Sequence, residues 1–205
     1  MKRIIVTGGA GFIGSSLVKE LIKSKNEVVV FDNFSRGNES NISRWIGRSN
    51  FKLVKADMLD KFSLSENVSR CDVVFHLAAN PEVRLGAIDT KIDYEQNLLA
   101  TYNLLEAMKN STACKTIVFA SSSTVYGEPN TIPTSETYSP LIPISLYGAS
   151  KLACEALIAG YCKMFDISGI ALRLANVIGP ETTHGVIYDF ITKLIGMIIV
   201  YLFKV

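Results

Sequence analysis

Thr7-Gly8-Gly9-Ala10-Gly11-Phe12-Ile13-Gly14 is the stretch on which the fold turns. The apolar run Ile4–Val6 leads into it, and a helix-like segment, Phe12–Lys23, leads out. Strand, glycine-rich turn and helix in that order make the phosphate-holding corner of a dinucleotide-binding β-α unit. Small residues let the chain turn tightly, bring backbone N–H groups close to an anion, and let the helix pack on the strand. The free N–H groups and positive dipole end of the helix then face the phosphate. Gly8, Gly11, Phe12, Ile13 and Gly14 are the expected pyrophosphate contacts. Asp32 closes the next strand-like run, Glu27–Phe31, eighteen residues beyond Gly14. An acid there accepts hydrogen bonds from a ribose diol and repels a 2′-phosphate. The expected cofactor is therefore NAD rather than NADP.

Outward from this corner, strand-like and helix-like segments alternate. Phe51–Lys55, Asp72–His76, Thr116–Ala120 and Gly169–Leu174 read as strands; Lys61–Val68, Tyr94–Lys109 and Ser145–Phe165 read as helices. Leu98, Leu99, Tyr102, Leu105 and Met108 give Tyr94–Lys109 its apolar face. Asn33–Asn41 is a polar loop. The strands are continuous apolar runs, which implies burial on both faces and a parallel sheet covered by helices. The expected class is α/β: a Rossmann-like doubly wound parallel sheet with helices on both faces. Asp57 and Leu77-Ala78-Ala79 then fall at carboxyl ends of strands, where open α/β sheets bind ligands. Asp57 suits an adenine amino group or, equally, the cap of a turn. Ala78 and Ala79 either admit a cofactor against the backbone or simply pack tightly.

Composition sets the bounds. The chain has 205 residues, 48% hydrophobic and 20% charged, with a net charge of +2. That balance gives no reason to expect a nucleic-acid partner. Cys71, Cys114, Cys154 and Cys162 lack metal-ligand spacing, and His76 and His184 are the only histidines, so no zinc site is expected. Scattered cysteines among apolar neighbours suit reduced thiols in a cytoplasmic protein. Residues 187–205 are strongly apolar, but Asp189 and Lys193 argue against a membrane span.

The strand Thr116–Ala120 runs into Ser121-Ser122-Ser123-Thr124-Val125-Tyr126-Gly127, and Tyr147-Gly148-Ala149-Ser150-Lys151 follows. On a helix, Tyr147 and Lys151 share a face one turn apart. A nearby ammonium favours the phenolate, so such a tyrosine is expected to exchange a proton at neutral pH. A serine hydroxyl at the strand end orients and polarises a substrate oxygen. Together they suit hydride transfer between an alcohol carbon and nicotinamide.

TGGAGFIG (7–14), FDNFSRG (31–37), HLAA (76–79), NLLATYNLLEA (97–107), SSSTVYG (121–127), YGASK (147–151) and LRLANVIGP (172–180) together resemble the extended short-chain dehydrogenase/reductase family, in its nucleotide-sugar epimerase/dehydratase branch. The resemblance implies Tyr147 as general base, Lys151 as its activator and a contact to the nicotinamide ribose, and Ser122 as the catalytic hydroxyl. It implies Asn33, Ser35 and Gly37 around the adenosine ribose, and Met58 at the adenine. It places Asn97 near the cofactor, or as a hydrogen-bonding core residue. It assigns Ser122, Ser123, Tyr147 and Asn176 to the substrate, although Asn176 equally suits a turn cap. The dehydratases carry Asp-Glu after the catalytic threonine; Ser123-Thr124 stands here instead. That favours epimerisation at C4 through a 4-keto sugar, with UDP-glucose or UDP-galactose as substrate type. A dehydratase or reductase, and a non-catalytic NAD-binding fragment, are the alternatives.

The resemblance also implies a longer chain. Residues 1–180 correspond to the NAD-binding domain, and 181–205 to a remnant of the substrate-binding part ending in the atypical tail IGMIIVYLFKV (195–205). That tail reads as a frameshift or truncation, with an uncovered sheet edge and impaired turnover expected. The family's dimers imply a homodimer through helices 97–109 and 145–165.

Overall fold

Ile4 and Val6 point to one side of their strand and Ile5 to the other, and all three are buried. This period-two alternation, apolar on both faces, repeats at Val28, Val29, Val30 and Phe31. The computed structural model describes residues 1–179 and 188–195. Its sheet has six strands: β1 (Arg3–Thr7), β2 (Glu27–Asp32), β3 (Phe51–Lys55), β4 (Val73–His76), β5 (Thr116–Ser122) and β6 (Ser168–Leu174). All pair in parallel, in the order β3-β2-β1-β4-β5-β6. The order reverses between β1 and β4, which opens a crevice at their carboxyl ends.

Helices cover both faces. On one side α1 (Phe12–Lys23) sets Val18 and Ile22 against Ile4, Val6, Val28 and Val30, with Ile42 and Trp45 closing the layer. On the other, α2 (Lys61–Val68), α4 (Ala100–Asn110) and α5 (Leu146–Met164) pack Leu64, Leu104, Leu105, Met108 and Ile158 onto Ile5, Phe31, Val74, Ile117 and Phe119. Local signals set the helix starts. Asp60 caps α2 through the Phe62 and Ser63 N–H groups, and Ser145 caps α5 through the Gly148 N–H.

Two expectations need correcting. The regular helix over Tyr94–Lys109 is composite: a turn of helix α3 (Lys91–Asp93), a π-helical segment Tyr94–Leu99, then α4. A π segment widens the helix by one residue and is common where a chain serves a site. The apolar run of the sixth strand implied burial on both faces like the others, while the family resemblance implied an uncovered sheet edge, and the edge prevails. Among the described residues β6 pairs with β5 alone, at the sheet edge, and Ile170 and Leu172 are exposed.

The chain divides into two compact units, Met1–Leu174 and Ala175–Val205. In the second, residues 188–195 are helical. Beyond Ile195 the apolar tail lies outside the described residues. Among the described residues, no helix is long and apolar enough to cross a membrane. The four cysteines are unpaired.

Candidate active site

The glycine turn sits at the β1/β4 crevice. Gly8 adopts φ +69°, and its N–H donates to the Phe31 carbonyl at 2.9 Å. A Cβ on Gly8 would lie 2.7 Å from the Ala78 nitrogen, so the turn is pressed against the Leu77-Ala78-Ala79 segment that follows β4. A Cβ on Gly14 would overlap the Gly8 carbonyl. Gly11 differs: among the described residues only the Gly8 oxygen, at 3.3 Å, would touch its Cβ, so their packing leaves that side open. Gly11 is also the N-cap of α1 and offers no side-chain acceptor, which leaves the first helical N–H groups to an anion. Phe12 and Ile13 form that first turn, Ile13 exposed.

Asp32 is buried and ties the corner together. Its carboxylate accepts the Ala10 N–H at 2.9 Å and the Phe34 N–H at 2.8 Å. A carboxylate has about four acceptor sites, so room remains for a ribose diol. Gly37 comes close enough that a Cβ would stand 3.0 Å from the same carboxylate. Asn33 donates to Asp57 at 2.6 Å and accepts the Ser35 N–H at 2.9 Å, while Asp57 also accepts the Leu59 N–H at 2.8 Å. Asp57 thus closes a turn, one of the two roles open to it. The Met58 side chain is in the core, and its carbonyl accepts from Asn103 at 3.2 Å. These residues fit a dinucleotide: a glycine cradle, an uncapped helix start and an acid with unused acceptor sites.

Across the crevice, β5 delivers Ser122 and the first turns of α5 deliver Tyr147 and Lys151. The Ser122 hydroxyl accepts from the Thr124 N–H at 3.2 Å and the Thr124 hydroxyl at 2.9 Å, and it hydrogen-bonds the Tyr147 side chain. Ser123 is exposed in the following 3-10 turn. The Lys151 ammonium is buried, donates to the Ala120 carbonyl at 2.9 Å, and stands 5.7 Å from the Tyr147 ring centre. Burial pulls Lys151 down to about 8, against the opposing pull of Cys154 and Asp93. The expected lowering of Tyr147 does not appear. Burial raises its pKa, the Ser122 hydrogen bond lowers it, and Asp93 raises it again. The phenol is therefore the proton-bearing form in this state.

Asn97 takes the core role of its two alternatives. It is buried, accepts the Asn80 N–H at 2.8 Å, and donates to Asp93 at 3.1 Å and to Ser150 at 2.8 Å. Ser150 in turn donates to the Tyr147 carbonyl at 2.7 Å. Asn176 lies past Leu174, in the second unit.

Sequence reasoning missed two networks. Thr7, His76 and Thr101 form a buried chain, with the imidazole 2.7 Å and 3.0 Å from the two hydroxyls. Arg173 grips Glu155 at 2.9 Å, donates to the Glu136 carbonyl and stacks on Tyr126, while Ser121 donates to Glu155. A four-residue spacing, Asp93-Asn97-Thr101, was the available signal for the first region.

Residues 4–200 match the NAD dependent epimerase/dehydratase family. The chain belongs to that family. Among curated relatives of this family, UDP-glucose 4-epimerase of Mycolicibacterium smegmatis is 36% identical, covering 89% of this chain and 59% of the relative. UDP-glucuronic acid decarboxylase 1 of Xenopus tropicalis is 34% identical, covering 88% and 42%. Among solved structures, a UDP-galactose 4-epimerase superposes with a TM-score of 0.84 at 47% identity, covering 94% of this chain and 62% of that one. UDP-glucuronic acid 4-epimerase of Bacillus cereus, in complex with UDP-glucuronic acid and NAD, gives 0.87 at 36% identity, covering 95% and 63%. The chain therefore spans less than two thirds of the length of these relatives.

Proposed function

We propose that this chain carries the NAD-holding and acid/base part of a nucleotide-sugar 4-epimerase. The observation that carries the reading is the convergence of Ser122, Tyr147 and Lys151 at one side of the crevice whose other side is the glycine turn. Gly8, Gly11, Gly14 and the start of α1 would hold the pyrophosphate of NAD, Asp32 the adenosine ribose, and Ala78 and Ala79 the backbone side of the crevice. Held there, NAD would supply the hydride acceptor and donor for carbon 4 of the sugar. The protein's part is proton movement. Tyr147 must first give up its own proton; as the phenolate it accepts the 4-hydroxyl proton, and it returns that proton to the carbon-4 oxygen of the turned 4-keto sugar. Ser122 donates to the same sugar oxygen, and Lys151 supplies the positive charge beneath the phenol.

The 4-epimerases among the relatives support this reading, as does Ser123-Thr124 in place of the acid pair of a dehydratase. The relatedness to a decarboxylase supports a second one, in which the same oxidation at carbon 4 is followed by loss of a C6 carboxylate. The test is to incubate the chain with NAD and, separately, UDP-galactose and UDP-glucuronic acid. UDP-glucose formed from UDP-galactose supports the epimerase. Carbon dioxide released from UDP-glucuronic acid supports the decarboxylase. NAD retained with neither product overturns both and leaves an NAD-binding module.

A further inference from the structure

Asp93 and Lys151 are buried side chains, 2% and 3% exposed, and Asp93 acts electrostatically on Lys151 without a direct ion pair between them. One Asp93 oxygen accepts from Asn80 at 2.9 Å and from Asn97 at 3.1 Å. The other has no hydrogen-bond partner among the described residues and abuts Gly86, where a Cβ would come within 2.5 Å of it. A buried carboxylate oxygen without a donor is costly unless a positive charge answers it. Among the described residues, the groups around Lys151 leave one unanswered negative charge, since Glu155, one turn further along α5, is paired with Arg173. His76 on β4 is neutral, because burial drives it down to about 3. Cys154 on α5 is a thiol that burial keeps protonated, and burial likewise keeps Tyr147 a phenol. From β5 come only the Ala120 carbonyl and the Phe119 ring. Asp93, just before the π-helical segment, acts on both Lys151 and Tyr147.

We propose that Asp93 is a positioning residue: its carboxylate is the counter-charge of the Lys151 ammonium and, through Asn97 and Ser150, it fixes the turn of helix that carries Tyr147. Asn97 donates to both Asp93 and Ser150, and Ser150 donates to the Tyr147 carbonyl, so one short relay joins the carboxylate to the backbone of the catalytic helix. The proposal rests on Tyr147 and Lys151 being the acid/base pair, but its test needs no turnover. A failed epimerase assay and a failed counter-charge are therefore separate results.

The test is a titration of the chain labelled with carbon-13 at lysine Cε and tyrosine Cζ. Lys151→Arg and Tyr147→Phe identify the two signals by their loss. Asp93→Asn keeps an acceptor for Asn80 and Asn97 but removes the charge. The expected result is a fall in both midpoints, Lys151 by about one pH unit, roughly tenfold in proton affinity. A merely structural Asp93 gives the opposite sign at lysine: a loosened site admits water and lets Lys151 climb back toward its ordinary value. A rise or no change at Lys151 overturns the proposal. The unaltered chain provides a second reading should Asp93→Asn not fold. In a second sample of that chain, labelled at aspartate Cγ as well, one carboxylate signal must shift as Lys151 loses its proton near pH 8 and not do so in Lys151→Arg, and no such signal overturns the proposal as well.

Discussion

Replacing His76 by glutamine should remove most of the chain's loss of stability between pH 7 and pH 5. The imidazole is fully buried between Thr7 and Thr101. Thr101 donates its own hydroxyl proton to the Asn97 carbonyl at 2.7 Å, so it must accept from Nε2 of His76. Nδ1 is then the acceptor for Thr7, and the ring is neutral with its proton on Nε2. Burial holds its pKa near 3 against an ordinary 6.5. The unfolded chain binds a proton at this residue below pH 6.5 while the folded chain does not, so stability falls as pH falls through that window. At pH 5 the ring lies about 1.5 units below its unfolded pKa, which amounts to a loss of about 2 kcal/mol relative to pH 7. Urea unfolding followed by circular dichroism at the two pH values measures it directly. His76→Gln keeps a donor for Thr101 and cannot ionise. The argument is refuted if the unaltered chain has the same unfolding free energy at pH 7 and pH 5. It is equally refuted if His76→Gln loses as much as the unaltered chain.

Three further outcomes follow from the geometry. Tyr147→Phe should cut sugar turnover by about 10²–10⁴-fold while leaving NAD affinity within a few-fold, as measured by turnover and fluorescence titration. Asp32→Ser should weaken NAD and narrow the gap between NAD and NADP, because it removes the charge that repels a 2′-phosphate; comparison of the two dissociation constants checks it. Glu155→Ala leaves Arg173 of β6 without its carboxylate partner, and should cost about 2 kcal/mol, discounted from a fully buried pair because Arg173 is part-exposed. Thermal unfolding reads that loss.

The sheet and the glycine corner were legible because their signals are local. Ile4–Val6 before Gly8 and Phe12–Lys23 after it carry their own periodicity, and α1 begins and ends at those residues. Tyr147 and Lys151 were legible because four residues make one helical turn. What stayed hidden depends on distant partners. Nothing next to Asp93 says that Asn80 and Asn97 will hold one of its oxygens while the other is left without a donor. The π-helical segment at Tyr94–Leu99 follows from the same tertiary demands, not from a residue propensity. Tyr147 shows the limit of spacing: Lys151 lies on the expected face, yet its ammonium reaches back to the Ala120 carbonyl and the burial of the phenol prevails. The exposure of β6 was illegible in its own residues, since an apolar strand reads the same at an edge as at the centre; only the family resemblance pointed to an uncovered edge.

The pairing of β1 with β4 joins residues about seventy positions apart, Ile4 with Val73 and Thr7 with His76. It is the seam between two halves of the sheet, one built from β1 to β3 and the other from β4 to β6. Gly8 pressed against Ala78 makes the mouth of the crevice part of that seam. A ligand lodged there grips both halves and works as a clasp, resisting the one separation that would undo the domain. Occupancy should therefore be visible far from the crevice, as slower hydrogen exchange along β1 and β4 and as protection of the domain from proteases.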